Sequence, residues 1–338
     1  MDLNHPLDGG VLAIDAGNSK TDVALVAADG SVLGTARGGG FQPQITGVEA
    51  AVEVVARIVE RAADAAGVAV RPGEPLVGHV SACLANADLP VEEQQLELAV
   101  QARGWGVSAR VANDTFALLR AGVDEPRGVA VVCGAGINCA GMLPDGRTAR
   151  FPAVGHLSGD WGGGSGLADE ALWWAARAED GRGGPTALAT TLPAHFGLIS
   201  MYALIEALHL GRIDLSRKHE LTPVLFKTAE TGDSVARAIV ERQAEEIVVM
   251  AAVALGRLGL LDEETDVVLG GGVLAARHPL LMDSVTALLA ARAPRAVPRV
   301  VTAPPVLGAA LLGLDHCGAG PEAQARVRAH YEPVAPVP

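Results

Sequence analysis

The sequence predicts an α/β fold built from two related lobes, and three observations support that prediction. Short apolar strand patterns cover Val11–Asp15 and Val129–Cys133, 118 residues apart. Each is followed by a Gly-containing turn and by two more strand patterns, joined by the hairpin signals Asp29-Gly30 and Asp145-Gly146. A repeat at this distance is too long for a solenoid, so it indicates a duplicated lobe.

The first lobe opens with a three-strand meander. After the strand over 11–15 and its turn, the alternating pattern over 21–27 predicts a second strand, and residues 31–37 predict a third. A loop over 38–46 then leads to a long amphipathic helix over 48–67 that ends at a glycine.

The second half repeats the meander, becomes helical, and returns to a strand before a Gly triplet. The predicted elements are strands over 129–133, 138–143 and 147–151, helices from 167 to about 260 with interruptions near 181–185 and 232–233, a strand over 265–269, a helix over 278–293, a strand over 298–301 and a last helix over 304–314. From Gly318 onward the composition predicts a surface segment that ends in flexible Pro-rich residues.

Composition limits the possible functions. The net charge of −13 and the absence of Lys/Arg runs argue against a nucleic-acid partner. No apolar stretch approaches the roughly 20 residues of a membrane span, and residues 1–5 show no signal-peptide pattern, so we expect a cytoplasmic protein. The four cysteines show no CxxC pair and no nearby His at metal-ligand spacing, which disfavours zinc.

Residues 15–21, Asp-Ala-Gly-Asn-Ser-Lys-Thr, form the first candidate site. They are not a P-loop, because GK[ST] is missing and a strand follows. Such a turn exposes backbone N–H groups and donor side chains to phosphate oxygens, and its acid could hold a water on Mg²⁺. The alternative is an ordinary hairpin turn, since Asp, Gly and Asn are turn formers. The predicted cofactor-binding residues here are Asp15 (also the metal site, through water), Gly17, Asn18, Ser19, Lys20 and Thr21.

Two later Gly-rich turns extend this site. Residues 133–138, Cys-Gly-Ala-Gly-Ile-Asn, repeat the first turn, and two such turns could cradle a triphosphate from both sides. The triplet 270–272 after a strand suits backbone packing against a flat adenine, although it could be an ordinary strand-to-helix turn. The cofactor-binding residues predicted from these two turns are Gly134, Ala135, Gly136, Asn138, Gly270, Gly271 and Gly272.

The three turns, in this order and with Asn113-Asp114-Thr115 ahead of the second hairpin, resemble the sugar kinase, Hsp70 and actin ATPase superfamily. The run over 131–172 is similar to the N-acetylglucosamine kinases and the broader BadF/BadG ATPase family, and the similarity covers residues 10 to about 315. The resemblance implies a two-lobed actin-like (ribonuclease H-like) fold with duplicated lobes and a central cleft for ATP and Mg²⁺. It implies an N-terminal lobe over 1–115, to which the helix at about 305–338 returns, and a C-terminal lobe over 116–304.

The resemblance also assigns roles to side chains. Asp114 becomes the catalytic base, which accepts the proton of the attacking hydroxyl. The alternative is that Asp114 is a helix N-cap, although Asn113 could cap instead and leave Asp114 free. Asp160, in a Gly-His-x-x-Gly-Asp segment, could accept hydrogen bonds from two sugar hydroxyls; otherwise it is a turn residue. The predicted substrate-binding residues are Gln42, Asn113, Asp114, Val154, Gly155, His156 and Asp160.

Three departures from the family pattern stand out. Ala135 and Ile137 replace a Thr and a Ser of the second turn, so two phosphate-facing hydroxyls are missing and weaker ATP binding is expected. Gln42 stands where relatives often carry Asn, which leaves recognition of an acylamino group open. The stretch 161–164, Trp-Gly-Gly-Gly, replaces an acidic and less Gly-rich continuation.

The activity implied is transfer of the ATP γ-phosphate to a hydroxyl, most simply the 6-hydroxyl, of an amino sugar such as N-acetylglucosamine. Glucosamine and N-acetylmuramic acid are alternative acceptors, and a homodimer is expected. A different class of function is an ATPase that activates a partner dehydratase through an iron–sulfur cluster, with Cys133 and Cys139 as candidate ligands. A silent sugar-sensing protein is a third possibility, which the presence of both Asp15 and Asp114 disfavours.

Overall fold

The structure is a computed structural model that describes residues 7–71 and 73–332. The strands within these residues are β1 (Leu7–Ala16), β2 (Lys20–Val26), β3 (Val32–Gly39), β4 (Val77–Leu84), β5 (Gly106–Asn113), β6 (Gly128–Cys133), β7 (Ile137–Met142), β8 (Thr148–Arg150), β9 (Thr265–Gly270) and β10 (Ala296–Val300). The helices are α1 (Pro43–Thr46), α2 (Val48–Ala65), α3 (Pro90–Gln101), α4 (Asp114–Gly122), α5 (Gly163–Glu179), α6 (Leu188–His195), α7 (Met201–His209), α8 (Leu221–Glu230), α9 (Ser234–Leu258), α10 (Gly272–Ala275), α11 (Pro279–Arg292), α12 (Pro305–His316) and α13 (Pro321–Tyr331). Short 3-10 helices cover Gly155–Ser158 and Leu215–Glu220.

The strands form two five-stranded sheets with the same topology. The first has the order β3-β2-β1-β4-β5, and the second, written from its other edge, has the order β8-β7-β6-β9-β10. In the first sheet β1 pairs antiparallel with β2 and parallel with β4, which pairs parallel with β5. In the second, β6, β9 and β10 are likewise parallel neighbours. The predicted duplication of an α/β lobe is confirmed.

The parallel strands of the first sheet end at one edge, and this edge positions the first group of candidate residues. In the pairing register Asp15 lies beside Cys83, and Cys83 beside Ala112. Because the carboxyl ends of parallel strands meet at the same edge, the turn after β1 and the start of α4 after β5 come close together. Asp114 is the first residue of α4.

The chain divides into two compact units. The first comprises residues 1–128, 140–148 and 301–338, and the second comprises residues 129–139 and 149–300. The lobes expected from the sequence divide at residue 115, whereas this division groups α4 with the first unit because α4 packs against α12. The lobe boundaries and the central cleft stay predictions.

Alternation along β1 sends side chains to both faces of the first sheet. Leu12 and Ile14 pack in a core with residues of α2, whereas Val11 and Ala13 pack in a second core with residues of α12. On the second face Gly308 of α12 approaches α4 so closely that a Cβ would lie 1.7 Å from a backbone oxygen of that helix. The Ala/Gly composition of α12 therefore permits this helix to lie directly on its neighbour.

A buried arginine fixes α4 against the C-terminal helices. Arg120 is fully buried, and its guanidinium forms two hydrogen bonds, of 2.7 and 3.1 Å, with the carboxylate of Asp315 in α12. The same side chain donates to Gln324 Oε1 at 2.9 Å in α13. The ion pair and hydrogen bonds of Arg120 therefore fix the position of α4, the helix that begins at Asp114.

The segment after Gly318, for which a surface position was predicted, is largely helical, and only two residues of its helix are buried. Residues 321–331 form α13, which buries Ala323 and Val327, four residues apart, against the rest of the first unit. The Pro-rich end, residues 333–338, lies outside the described residues, as do residues 1–5. None of the described helices combines the length and the apolar character that a membrane span requires.

Candidate active site

The tip of the β1–β2 hairpin exposes backbone donors. The Gly17 N–H closes the turn by donating to the Lys20 carbonyl at 2.8 Å. Asn18 and Ser19 are exposed, and within the described residues their backbone N–H groups donate to no protein acceptor. The tip therefore has two free N–H groups, which suit phosphate oxygens.

Two loops, the one after β3 and the one after β4, hold this tip in place. The Asn86 Nδ2 group donates to Asn18 Oδ1 at 2.9 Å and to the Phe41 carbonyl at 3.0 Å. The Gln42 Nε2 group donates to the Asn18 carbonyl at 3.1 Å. Gly40 lies so near that a Cβ there would be 2.0 Å from the same carbonyl. The Asn18 side chain and Gln42 thus support the turn in this structure.

Two carboxylates lie at the edge of the first sheet, that of Asp15 buried and that of Asp114 partly buried. Burial, together with the neighbouring charges of Asp114 and then Asp22, raises the pKa of Asp15 from 3.8 to about 8. Burial also raises the pKa of Asp114, to about 6. Lys20 partly offsets the shift at Asp15. A site with two such carboxylates favours a bound cation, which would stabilise both charged forms.

Asn113, rather than Asp114, caps α4. The Asn113 Oδ1 atom accepts from the Thr115 N–H at 2.9 Å, and the Asn113 Nδ2 group donates to Asp88 Oδ1 at 2.8 Å. The expectation that Asn113 could cap α4 in place of Asp114 is confirmed, and the catalytic role of Asp114 stays a prediction. Asp88, on the loop before α3, is therefore a supporting residue of this site.

The second hairpin tip resembles the first but is tied to a helix. Gly134 donates its N–H to the Gly136 carbonyl at 2.9 Å, and the carbonyls of Gly134 and Ala135 accept from the N–H groups of Gly164 and Ser165 at 2.7 and 2.9 Å. The first turn of α5 is thus bonded to the hairpin. The Ala135 and Gly136 N–H groups, both exposed, donate to no acceptor in the described parts of the chain.

Glycines and one glutamine fix this junction. Gly163 has a φ of +71°, and a Cβ there would lie 2.5 Å from the backbone of Gly136. Its N–H donates at 2.8 Å to Oε1 of Gln243, a fully buried residue of α9. The Gly run after Asp160 therefore permits close packing of α5 on the hairpin. Gln243 carries no sequence signal of its own.

The third turn borders a cavity of about 640 Å³ in the second unit. Gly271 has a φ of +84°, and a Cβ there would lie 2.5 Å from the Cys133 backbone, so β9 runs tightly past the second hairpin before α10. The cavity volume suits a small-molecule ligand. Its lining residues are Gly134, Ala135, Gly164, Ser165, His219, Thr222, Pro223, Phe226, Lys227, Glu230, Gly272, Val273, Ala276 and His278.

One end of this cavity carries a ring pair that the sequence did not indicate. The rings of Phe226 and His278 lie 4.7 Å apart at a tilt of 38°. The His278 Nε2 atom lies 2.9 Å from the Glu230 carboxylate. An apolar wall with a few polar groups suits a purine ring.

The loop over residues 154–160 is closed by its own aspartate. Oδ2 of Asp160 accepts from the Gly155 N–H at 2.9 Å and from the Ser158 hydroxyl at 2.6 Å. Ser158 Oγ also accepts from the Val154 N–H at 2.8 Å. His156 is exposed. Asp160 therefore shapes the turn through Oδ2, while Oδ1 accepts no hydrogen bond within the described residues.

Three positions in the predicted phosphate turns have surroundings that the sequence did not indicate. The Thr21 side chain is fully buried, and its hydroxyl has no partner among the described groups, so a phosphate cannot reach it in this conformation. Ile137 is only 6% exposed and begins β7, so this position faces the protein interior rather than a ligand. Asn138 accepts from the Cys139 N–H at 2.7 Å, a local bond within the strand.

The residues that could hold a magnesium ion are the two carboxylates. In the parts of the chain that the structure describes, no three or more His, Cys, Asp or Glu side chains group into a metal site. Mg²⁺ nevertheless keeps several waters and uses one or two carboxylates plus substrate phosphates, so Asp15 and Asp114 fit this ion.

The duplicated sheets, the Gly-rich hairpin tips and the two carboxylates define an ATPase of the actin-like, sugar kinase fold class. Residues 12–313 match the sequence profile of the BadF/BadG/BcrA/BcrD ATPase family, and the chain belongs to this family.

Individual relatives agree with this assignment. The chain is 26% identical over 266 residues to the N-acetylmuramic acid/N-acetylglucosamine kinase of Clostridium acetobutylicum, covering 78% of this chain and 85% of that protein. It is 26% identical over 240 residues to the N-acetyl-D-glucosamine kinase of Dictyostelium discoideum, covering 70% and 75%. Its fold is that of a proposed N-acetylglucosamine kinase from Chromobacterium violaceum, with a TM-score of 0.68, 24% identity and coverage of 91% and 100%.

Proposed function

We propose that this protein is an ATP-dependent sugar kinase that transfers the γ-phosphate of ATP to the 6-hydroxyl of an amino sugar such as N-acetylglucosamine. The observation that carries the proposal is the carboxylate of Asp114, which lies partly buried at the start of α4 while Asn113 performs the capping. The names of the two kinases to which the chain is similar support the choice of acceptor.

Asp114 is the proposed general base. A sugar hydroxyl is a weak nucleophile, and a carboxylate within hydrogen-bond reach orients it and takes its proton as the new P–O bond forms. Burial raises the pKa of Asp114 to about 6, which makes this carboxylate a stronger base than an exposed aspartate while it remains largely ionised at neutral pH.

Asp15 is the proposed anchor for magnesium, through a water molecule. The ion would neutralise charge on the ATP phosphates, which is its usual contribution to phosphoryl transfer. The raised pKa of Asp15 supports this role, because a buried carboxylate beside two other acids needs a cation to remain ionised at neutral pH. Lys20, exposed on the same hairpin, is proposed to contact a phosphate.

The proposed nucleotide contacts come from both hairpin tips and from the 640 Å³ cavity. The free N–H groups of Asn18, Ser19, Ala135 and Gly136 are the proposed phosphate donors. The cavity is the proposed adenosine site, with the turn over 270–272 forming one wall. The missing hydroxyls of the second turn leave its backbone donors unchanged.

The proposed acceptor contacts are the remaining predicted residues. Oδ1 of Asp160 is available for sugar hydroxyls, since the loop is closed by Oδ2. The other proposed contacts are Gln42, Asn113, Val154, Gly155 and His156. Glucosamine and N-acetylmuramic acid remain alternative acceptors. We further propose that the protein works in the cytoplasm as a homodimer.

The dehydratase-activator alternative gains no support from the cysteines. Cys133 and Cys139 are fully buried, and burial raises the pKa of the Cys133 thiol to about 12. A cluster held between two subunits needs cysteines at the surface, and of the four cysteines only Cys317 is exposed. A sugar kinase is therefore the better assignment.

The experiment is a coupled ATP-consumption assay over N-acetylglucosamine, glucosamine, N-acetylmuramic acid and glucose, with the Asp114→Asn variant as the control. Phosphorylation of at least one amino sugar that the variant loses supports the proposal. An absence of turnover with every sugar, or full turnover by the variant, would refute it. A brown preparation with an iron–sulfur absorption band would favour the activator alternative.

A further inference from the structure

The second unit contains another cavity, of about 630 Å³, that none of the proposed nucleotide, base or acceptor residues lines. Three of the four tryptophans in the sequence, Trp161, Trp173 and Trp174, lie in its wall. Because aromatic residues make up only 3% of the sequence, this concentration sets the cavity apart from the rest of the protein. We refer to it as the tryptophan cavity.

The rings of the tryptophan cavity are held in fixed orientations. The Arg242 guanidinium lies 4.1 Å from the centre of the Trp161 ring, and Trp161 Nε1 donates to Glu170 Oε1 at 3.3 Å. Trp173 and Trp174 meet edge to face, with their centres 4.8 Å apart. A ligand would meet surfaces that are already ordered, which lowers the entropy cost of binding.

The chemistry of the wall matches a neutral sugar ring. Indole rings provide flat apolar surface for the C–H groups of a sugar, while Asp169, Glu170 and Arg242 place acceptors and donors around them. Asp169 forms an ion pair with Lys218, so the charges at the wall are largely balanced. A strongly charged ligand would gain little binding energy here. The hydroxyl groups of a sugar, in contrast, can donate hydrogen bonds to the acidic side chains and accept them from the basic one.

The position of Trp161 links this cavity to the proposed acceptor site. Trp161 directly follows Asp160, and adjacent Cα atoms are about 3.8 Å apart. We propose that the tryptophan cavity binds a second, neutral sugar unit joined to the acceptor sugar, so that the preferred substrate class is a disaccharide. This inference rests on the proposed kinase function and names the substrate class of that same site.

The second sugar takes no part in the bond changes. The P–O bond between the γ-phosphorus and the bridging oxygen of ATP breaks, a new P–O bond forms to the acceptor hydroxyl, and ADP leaves. The proton of that hydroxyl passes to Asp114. The glycosidic bond stays intact, and the second ring contributes binding alone.

A binding experiment tests the cavity without turnover. The Trp105→Phe variant removes the one tryptophan outside the cavity, so that all remaining tryptophan fluorescence emission comes from the cavity. Titration with N,N′-diacetylchitobiose should change this emission saturably, and N-acetylglucosamine should change it less. Equal responses to the two sugars, or no response to the disaccharide, would overturn the inference.

Kinetics with matched variants separate this inference from the proposed function. Trp161→Ala and Trp174→Ala should raise KM for the disaccharide by about three- to tenfold while leaving KM for the monosaccharide unchanged. Tyr202→Ala, at an exposed aromatic in α7, is the control and should change neither constant. Intact monosaccharide turnover without a disaccharide preference would refute the inference alone.

Two further outcomes are decisive. Disaccharide binding in the cavity with no phosphorylation of any sugar would refute the proposed kinase function and retain the cavity as a saccharide site. If the tryptophan variants change the oligomeric state in size-exclusion chromatography and leave sugar selectivity unaltered, the cavity is an interface between copies of the chain, and the inference fails.

Discussion

Replacing Asp15 with asparagine should stabilise the ligand-free protein at neutral pH, although it removes a residue of the proposed active site. Asparagine keeps the shape of the side chain and cannot ionise. In the native protein burial and two neighbouring acids raise the pKa of Asp15 from 3.8 to about 8. The folded state therefore holds a proton that the unfolded state has lost, and native stability falls as the pH rises from about 4 to about 8.

The magnitude follows from the size of the shift. Each pH unit inside this window costs the native protein about 1.4 kcal/mol at Asp15. Between pH 5 and pH 7 the stability advantage of Asp15→Asn should therefore grow by about 3 kcal/mol. For a compact folded unit of 150–250 residues, about 3 kcal/mol corresponds to about 6–12 °C. The difference between the melting temperatures of the variant and the native protein should therefore grow by about that amount from pH 5 to pH 7.

Thermal unfolding at pH 5, 6 and 7, without nucleotide or divalent cations, measures this difference. Asp145→Asn is the matched control, since Asp145 lies in the turn between β7 and β8 and is exposed beside Arg147, whose hydrogen bonds lower the pKa of Asp145. A lowered pKa leaves Asp145 ionised throughout this range, so the effect of its replacement should not change with pH. A constant difference for Asp15→Asn, or a loss of stability at pH 7, would refute the reasoning.

Three other predictions concern turnover and packing. The Asp114→Asn variant should still bind ATP and sugar, while its turnover falls by about 10²–10⁴-fold; normal turnover of this variant would place the base elsewhere. In the wild-type protein, kcat/KM should fall as the pH drops below about 6, the pKa of Asp114. Ala135→Thr should tighten ATP binding, measured by calorimetry, by at most about 1.5–3 kcal/mol, whereas Ile137→Ser should lower the melting temperature at a cost of about 2–5 kcal/mol without helping ATP. The Gln243→Leu variant leaves the Gly163 N–H without its buried acceptor, so it should lower ATP affinity more than Gln243→Glu does. Equal ATP affinities of the two variants would show that Gln243 does not support the second turn.

Elements with strong local signals could be predicted from the sequence. The predicted helix over 48–67 corresponds to α2 (Val48–Ala65), and both meanders form where a strand pattern, a Gly turn and an Asp-Gly hairpin follow one another. These features depend on neighbouring residues alone, so one sequence contains them. The duplication then followed from a comparison of the two meanders.

Features that depend on distant partners could not be predicted. The helix α13 has a weak apolar pattern, and its Val327 packs in a core with residues far away in the sequence, such as Val11 and Cys83. The same holds for Gln243, whose partner Gly163 lies 80 residues earlier. Asn86, with a φ of 63° and hydrogen bonds to Asn18 and Phe41, is another example. Nothing in the local sequence indicates such contacts.

The candidate site shows the same division between local and distant information. That Asn113 could cap α4 was visible in its position before a helix, and the structure confirms that it does. The burial of Thr21 was not visible, because the turn pattern shows which residues are present and not which face each side chain takes. Strand alternation decides that face, and Thr21 pairs with Ala16 inside the sheet.

The two hairpins have similar backbone turns and differ in charge, which bears on the roles proposed for them. Asp15 and Cys133 stand at equivalent positions of the repeat, and both are buried. Burial raises the pKa of the Cys133 thiol to about 12, so that it stays neutral, whereas Asp15 becomes charged as soon as a cation compensates its burial. The second hairpin contributes no charge of its own and is instead bonded to α5 through its carbonyls. If the proposed kinase function holds, both hairpin tips supply phosphate donors through their backbone, and the proposed cation site lies in the first unit, where Asp15 and Asp114 stand.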